Sequence, residues 1–187
     1  MINIDNVSFS YGQTKVLNNF SLKIDAGERI CLFGESGCGK TTLLKLIMGL
    51  EQPSSGSIET GGKHFAAVFQ ENRLLPFYTL EENIRVVGGD NLLAERYLSS
   101  LGMSGCIKLY PKSLSGGMKR RAAIVRALSV PFDCLVLDEP FTGLDTANIS
   151  AAADLISTEL KGRTLILVTH SRYEAELLNT KTVILRG

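Results

Sequence analysis

The sequence predicts an α/β fold: a mostly parallel core sheet with an N-terminal antiparallel β subdomain and an inserted helical lobe. Three observations predict it. The N-terminal stretch alternates apolar and polar residues, as half-buried strands do. The last third alternates short apolar runs with segments of helical spacing, which implies right-handed crossovers and parallel pairing. Between them, from Thr79 to about Leu128, the pattern is helical. The 187 residues make one domain with a core of useful size. Residues 1–70 and 130–187 form the core and the β subdomain, and about 71–129 the helical lobe.

The elements follow in order. Ile2, Ile4, Val7 and Phe9, then Val16, Phe20, Leu22 and Ile24, mark two antiparallel strands broken at Gly12 and Ala26-Gly27. Residues 29–33 are a short apolar strand. Residues 40–48 carry Leu43, Leu44, Ile47 and Met48 at helical spacing. Residues 51–62 are a loop around a short strand at 57–59, and 66–69 are another strand. Thr79 with Glu82 matches a capping box opening one helix, and 91–101 is a second. Residues 134–137, 147–160, 164–168, 172–178 and 182–185 complete the strand–helix alternation.

Composition removes several classes of function. Twenty Lys and Arg against nineteen Asp and Glu leave a net charge of +1, so no chain-wide field draws nucleic acid or an anionic membrane. A hydrophobic content of 44% against 21% charged excludes disorder. The longest apolar runs, such as 134–137 and 165–168, fall far short of the ~20 residues of a membrane span. Met1-Ile2-Asn3-Ile4-Asp5 has neither the basic start nor the apolar stretch of a secretory signal. Cys31, Cys38, Cys106 and Cys134 are scattered, with no C-x-x-C, and read as reduced thiols in a cytosolic protein.

Gly34-Glu35-Ser36-Gly37-Cys38-Gly39-Lys40-Thr41 fits G-x-x-x-x-G-K-[ST], after a strand and opening a helix. Phosphate needs inward-pointing backbone N–H groups, so residues without a Cβ must occupy the points of close approach and positive φ. The helix dipole faces the anion, Lys40 reaches the β- and γ-phosphates, and the Thr41 hydroxyl ligates Mg²⁺. Next to a helix N-terminus, the Cys38 thiol is expected to be acidified and reactive. The strand at 134–137 ends in Asp138-Glu139-Pro140. An aspartate at the carboxyl end of a buried strand beside a phosphate loop is placed to coordinate Mg²⁺. Glu139, expected to face the opposite way on an extended chain, is placed to accept a proton from an attacking water. Pro140 ends the strand.

Leu114-Ser115-Gly116-Gly117-Met118 then precedes a basic, apolar-periodic helix. Phosphate loop, Leu-Ser-Gly-Gly, and a strand ending Asp-Glu together resemble the ABC-type P-loop ATPases over nearly the whole chain. The resemblance implies ATP and Mg²⁺ as cofactors and assigns further roles. Tyr11 stacks on adenine with Val16 beside it, Thr42 joins the phosphate site, and Gln70 serves both metal and water at the joint between core and lobe. Asp145, in Gly143-Leu144-Asp145, is the interfacial aspartate, and His170 the switch histidine. Ser115, Gly116 and Gly117 open a helix and so form a second phosphate-binding end. The family's answer to that redundancy is a head-to-tail homodimer, each Leu-Ser-Gly-Gly closing on its partner's ATP. Met118 departs from the more usual glutamine and loses hydrogen-bond capacity toward the nucleoside. The chain also stops soon after residues 182–185, so no effector-sensing domain is expected.

The run Gln70 to Leu80, with Leu74, Leu75, Pro76, Phe77 and Tyr78, is a candidate partner socket. With 114–120 it is similar to the ATPase subunits of bacterial nitrate, sulfonate and taurine importers. The resemblance therefore implies an ATP-hydrolysing subunit of a membrane transporter, cytoplasmic and held at the inner membrane face by separate membrane-spanning chains. The alternative is a soluble ABC-type ATPase acting on nucleic acid or ribosomes. It is disfavoured by the lack of a second ATPase domain, a coiled-coil insertion or a basic stripe, and no direct nucleic-acid contact is expected.

Overall fold

The computed structural model describes residues 1–185. The strands are β1 (Ile2–Tyr11), β2 (Thr14–Ile24), β3 (Arg29–Phe33), β4 (Ser55–Glu59), β5 (Phe65–Val68), β6 (Cys134–Asp138), β7 (Thr164–Val168) and β8 (Lys181–Ile184). The helices are α1 (Lys40–Ile47), α2 (Leu80–Val86), α3 (Asn91–Ser100), α4 (Gly116–Leu128), α5 (Thr146–Leu160) and α6 (Arg172–Leu177). A three-stranded antiparallel sheet runs β2-β1-β4, and a five-stranded parallel sheet runs β5-β6-β7-β3-β8. Among the described residues no helix is long and apolar enough to cross a membrane.

The parallel sheet is covered on both faces, which is why β6 and β7 are apolar without interruption and fully buried. Alternation along each strand divides the core in two. Leu135, Leu137, Leu165 and Leu167 pack with helices α2 to α6. Cys134, Val136, Ile166 and Val168 pack on the other side with α1 and the strands β1 and β2. The helical pattern read from Thr79 to Leu128 is interrupted. After α3 the chain passes through two 3₁₀ turns, Cys106–Lys108 and Pro111–Ser113, before α4. Pro111 cannot donate into an upstream helix and is tolerated only as the first residue of a new turn.

Parallel pairing has one consequence for function. The carboxyl ends of β3, β5, β6 and β7 share one edge of the sheet, where ligand sites of such sheets form. The segments leaving that edge are 34–39, Gln70, Glu139 and His170.

At the entrance to the lobe, the Thr79 Oγ1 accepts from the Glu82 N–H at 3.2 Å. The Thr79 N–H in turn donates to Glu82 Oε2 at 2.7 Å, the reciprocal capping box. Replacing Thr79 with Ala removes one half of it and should cost about 1 kcal/mol. A thermal midpoint about 2–4 °C lower is expected in a chain of this size; an unchanged midpoint would mean that α2 does not depend on its cap.

Candidate active site

Helix α1 starts against a backbone that only glycine fits. Gly39, its N-cap, has φ 94°, and a Cβ there would lie 2.9 Å from Val16 Cγ1. The loop is therefore pressed onto β2 with its amides ahead of the helix, where they have no intrahelical acceptors. Lys40 is buried, and its ammonium donates to the Gly34 carbonyl at 2.8 Å and the Glu35 carbonyl at 2.7 Å. The buried ammonium is thus satisfied by carbonyls at the base of the loop.

Across the cavity stands the end of β6. Thr41 Oγ1 donates to Asp138 Oδ2 at 2.8 Å, and Asp138 is 2% exposed. Burial pushes the Asp138 carboxyl above its usual range, opposed by the Thr41 hydrogen bond and the charges of Arg120 and Lys40. Burial likewise raises Glu139, opposed by His170. His170 Nε2 lies 3.5 Å from Glu139 Oε1, an ion-pair distance without hydrogen-bond geometry, and that oxygen has no hydrogen-bond partner among the described residues. The extended conformation expected for Glu139 is not found. Its φ is 49°, in the left-handed region, because its N–H still pairs with the Val168 carbonyl (2.9 Å) while the chain turns away toward Pro140.

One cavity of about 740 Å³ gathers Tyr11, Val16, Ser36, Gly37, Gly39, Lys40, Thr41, Thr42, Gln70, Asp138, Glu139 and His170. Tyr11 is held edge-on to Phe9, ring centroids 4.8 Å apart, and its hydroxyl approaches Glu51 Oε1 at 3.5 Å. Thr142 and Val168 complete the lining; neither carries a sequence signal beyond its neighbours.

The remaining expected residues lie elsewhere. Gly34, Glu35 and Cys38 face a second hollow with Ile184 and Leu185 on the other side of the loop. Cys38 is 8% exposed beneath Gly34, so the reactive thiol expected there is shielded by the chain itself. Ser115, Gly116, Gly117 and Asp145 are outside the cavity. Ser115 caps α4, accepting from the Met118 N–H at 3.2 Å. Asp145 caps α5 through the Asn148 N–H at 2.8 Å, which holds its carboxyl below the usual range. A Cβ at Gly117 would reach Leu144 at 3.4 Å and the Gly143 carbonyl at 3.5 Å, so these two segments adjoin on one face. Met118 packs its side chain against the apolar cluster of the lobe.

Sequence reasoning missed Arg120. It is 2% exposed and donates to five backbone carbonyls around the site. Its position in the apolar stripe of α4, beside Ala123, Ile124 and Ala127, is the signal that a charge there must find buried acceptors.

A parallel sheet with a phosphate loop after one strand and an aspartate ending its neighbour but one defines a P-loop nucleotide-binding fold. Within that class the chain belongs to the ABC transporter family, whose sequence model matches residues 17–142. It is 40% identical to the aliphatic sulfonates import ATP-binding protein SsuB 2 of Pseudomonas syringae pv. tomato, over 98% of this chain and 81% of that one. It is 37% identical to the SsuB protein of Bacillus cereus, over 93% and 75%. Among solved structures it is similar to an ATP-binding subunit of an ABC transporter at TM-score 0.88 and 28% identity, covering all of this chain and 86% of that one. A dimeric bacterial ABC transporter cassette matches at TM-score 0.87 and 25% identity, over 99% and 94%.

The electrostatics of Asp138 predict a stability effect of definite sign. A raised folded pKa contributes stability fully present below the unfolded value and lost as pH rises through the folded one. At pH 7 the ionised carboxylate therefore weakens the fold relative to a neutral isostere. Asp138→Asn should raise the thermal midpoint of the nucleotide-free protein; a midpoint at or below that of the parent would contradict this account.

Proposed function

We propose that the chain is the ATP-hydrolysing subunit of an ABC importer. It would work as a head-to-tail homodimer at the inner membrane face, carried there by separate membrane-spanning subunits. One observation carries the reading: the 2.8 Å bond from Thr41 to the buried Asp138, beside a Glu139 oxygen that has no donor. The names of the relatives support import.

Each residue then has a task. Tyr11 presents a ring, braced by Phe9, for an adenine to stack on. The amides of Ser36 to Thr42, with Lys40, hold the phosphates. Magnesium fits the donors present: one buried carboxylate (Asp138), one hydroxyl (Thr41) and one amide oxygen (Gln70) around the same cavity. No three His, Cys, Asp or Glu side chains cluster to hold a metal among the described residues, which suits an ion that keeps waters and phosphate oxygens as its other ligands. Bound there, it would neutralise phosphate charge. Glu139, raised by burial, accepts the proton of an attacking water through its free oxygen. His170 contacts Glu139 and faces the same cavity, where it meets the γ-phosphate. Ser115, Gly116, Gly117 and Asp145, outside this cavity, serve the nucleotide of the second copy.

The partner surface lies on the lobe. Phe77 is 88% exposed, with Leu75, Tyr78, Leu109 and Tyr110 also exposed. The segment is rigid, because the buried Asn83 accepts from the Leu75 N–H (2.7 Å). It also donates to the carbonyls of Leu75 (3.1 Å), Tyr78 (3.1 Å) and Thr79 (2.9 Å). An ordered apolar patch held in place by a buried amide is suited to docking a membrane subunit.

Glu139→Gln should leave ATP affinity unchanged and lower kcat by about 10²–10⁴-fold. In the parent, kcat should fall on acidification, with an acid limb above the ordinary glutamate value of 4.5, because the base works only when ionised. Parent-like turnover in the variant would remove Glu139 from this role. Phe77→Asp should abolish co-purification with co-expressed membrane subunits and leave the ATPase rate of the free protein untouched; retained co-purification would move the docking surface elsewhere.

A further inference from the structure

Arg120 is a buried cation that meets no carboxylate. Its Nε–H donates to the Pro140 carbonyl at 2.8 Å. Its Nη1 donates to the carbonyls of Phe69 (2.6 Å) and Gln70 (3.2 Å) and to Asn72 Oδ1 (3.3 Å). Its Nη2 donates to the Asp138 carbonyl at 3.0 Å and to that of Glu139. The five N–H groups of a guanidinium form a planar fork that neither lysine nor an amide reproduces, and here they meet five backbone carbonyls and one side-chain oxygen of two loops leaving the same sheet edge.

The backbone they hold is under constraint. Glu139 has φ 49°, costly for any residue with a Cβ, and the following proline biases it toward an extended conformation instead. Such a state persists only where the surroundings over-determine it. The Val168 carbonyl fixes the N–H of Glu139, while Arg120 and the Thr142 hydroxyl (3.2 Å) fix its carbonyl. Arg120 itself stands on α4, the helix capped by Ser115 and begun by Gly116 and Gly117.

We propose that Arg120 is a positioning residue for hydrolysis: it holds the backbone of Glu139 to the helix that Ser115 opens, so that the Glu139 carboxylate points into the cavity. The proposal rests on Glu139 acting as the base. It reaches beyond that role by making the geometry of the base depend on α4.

The test uses the full chain with Arg120→Lys, Glu139→Gln and the double variant. Lysine keeps the charge but not the fork, and Arg120→Lys preserves folding better than Arg120→Ala, which leaves buried carbonyls unpaired. Arg120→Lys should lower kcat on the order of 10²-fold, the scale of a misplaced catalytic group, with KM for ATP unchanged because the phosphate loop is untouched. The acid limb of its rate should shift with the displaced carboxylate. In the double variant the residual rate should equal that of Glu139→Gln alone, since Arg120 acts only through Glu139. Parent-like kcat and acid limb in Arg120→Lys, with Glu139→Gln inactive, would overturn the positioning role and leave the base intact. A loss carried by KM, or a further loss in the double variant, would also overturn it. Parent-like turnover in Glu139→Gln would instead overturn the base and the proposal together.

Discussion

The site depends on keeping two adjacent carboxylates ionised at the edge of a sheet buried on both faces. Asp138 and Glu139 are both pushed upward by burial, and nothing in the apolar strand behind them helps. What opposes the shift comes from four separate places: Thr41 and Lys40 at the start of α1, Arg120 on α4, Arg73 after β5 and His170 after β7. The fold can therefore be read as an arrangement for bringing positive charge and donors to one strand end. It brings less than full compensation, which leaves a buried anion beside a free oxygen, the condition in which a cation and a water are most strongly held.

The strand order explains how those four sources meet. β6 pairs with β7 and β7 with β3, so the histidine after β7 and, beyond it, the loop after β3 lie to one side of the aspartate ending β6. The remaining parallel pair, β5 with β6, brings Gln70 to the same edge. Arg120 then crosses from α4 beneath the backbone of both β5 and β6 exits. Side chains distant in sequence are thus placed by backbone pairing, and the cavity needs no specialised element of its own.

Much of this was legible because its physics is local. Alternation along 2–24, the helical spacing of 40–48 and the capping box at Thr79 each depend on near neighbours only, and the strands fall within a residue or two of where they were expected, whereas α4 begins three residues earlier than its apolar period. The phosphate loop is spelled by glycines that the backbone requires, such as Gly39 against Val16. What escaped depends on distant contacts. Glu139 before Pro140 reads as extended, and only the pull of the Val168 carbonyl and the Arg120 fork makes it left-handed. Arg120 reads as one more charge in a basic helix until its acceptors, some 18 to 51 residues away, are seen. Cys38 reads as a reactive thiol beside a helix N-terminus, but it is buried against Gly34.

The chain carries two helix N-termini of the kind that bind phosphate, and they do not face one cavity. The start of α1 lines the pocket with Asp138 and Glu139, whereas Ser115 and Gly116 at the start of α4 stand exposed beside the Gly143–Leu144 turn. The start of α4 lies outside the cavity of its own chain; in the proposed head-to-tail pair it would meet the nucleotide of the second copy, and a two-fold arrangement would use the same contact twice. The other end of the relation is Arg120, one turn further along α4, which grips the carbonyl of the Glu139 in its own chain. In the proposed pair, contact of α4 with the nucleotide of one copy would then be mechanically joined to the Glu139 facing the nucleotide of the other. By linkage, whatever free energy that contact lent to one pocket would be felt in its mate, and on the proposed roles of Glu139 and Arg120 neither base would be positioned independently of the opposite site.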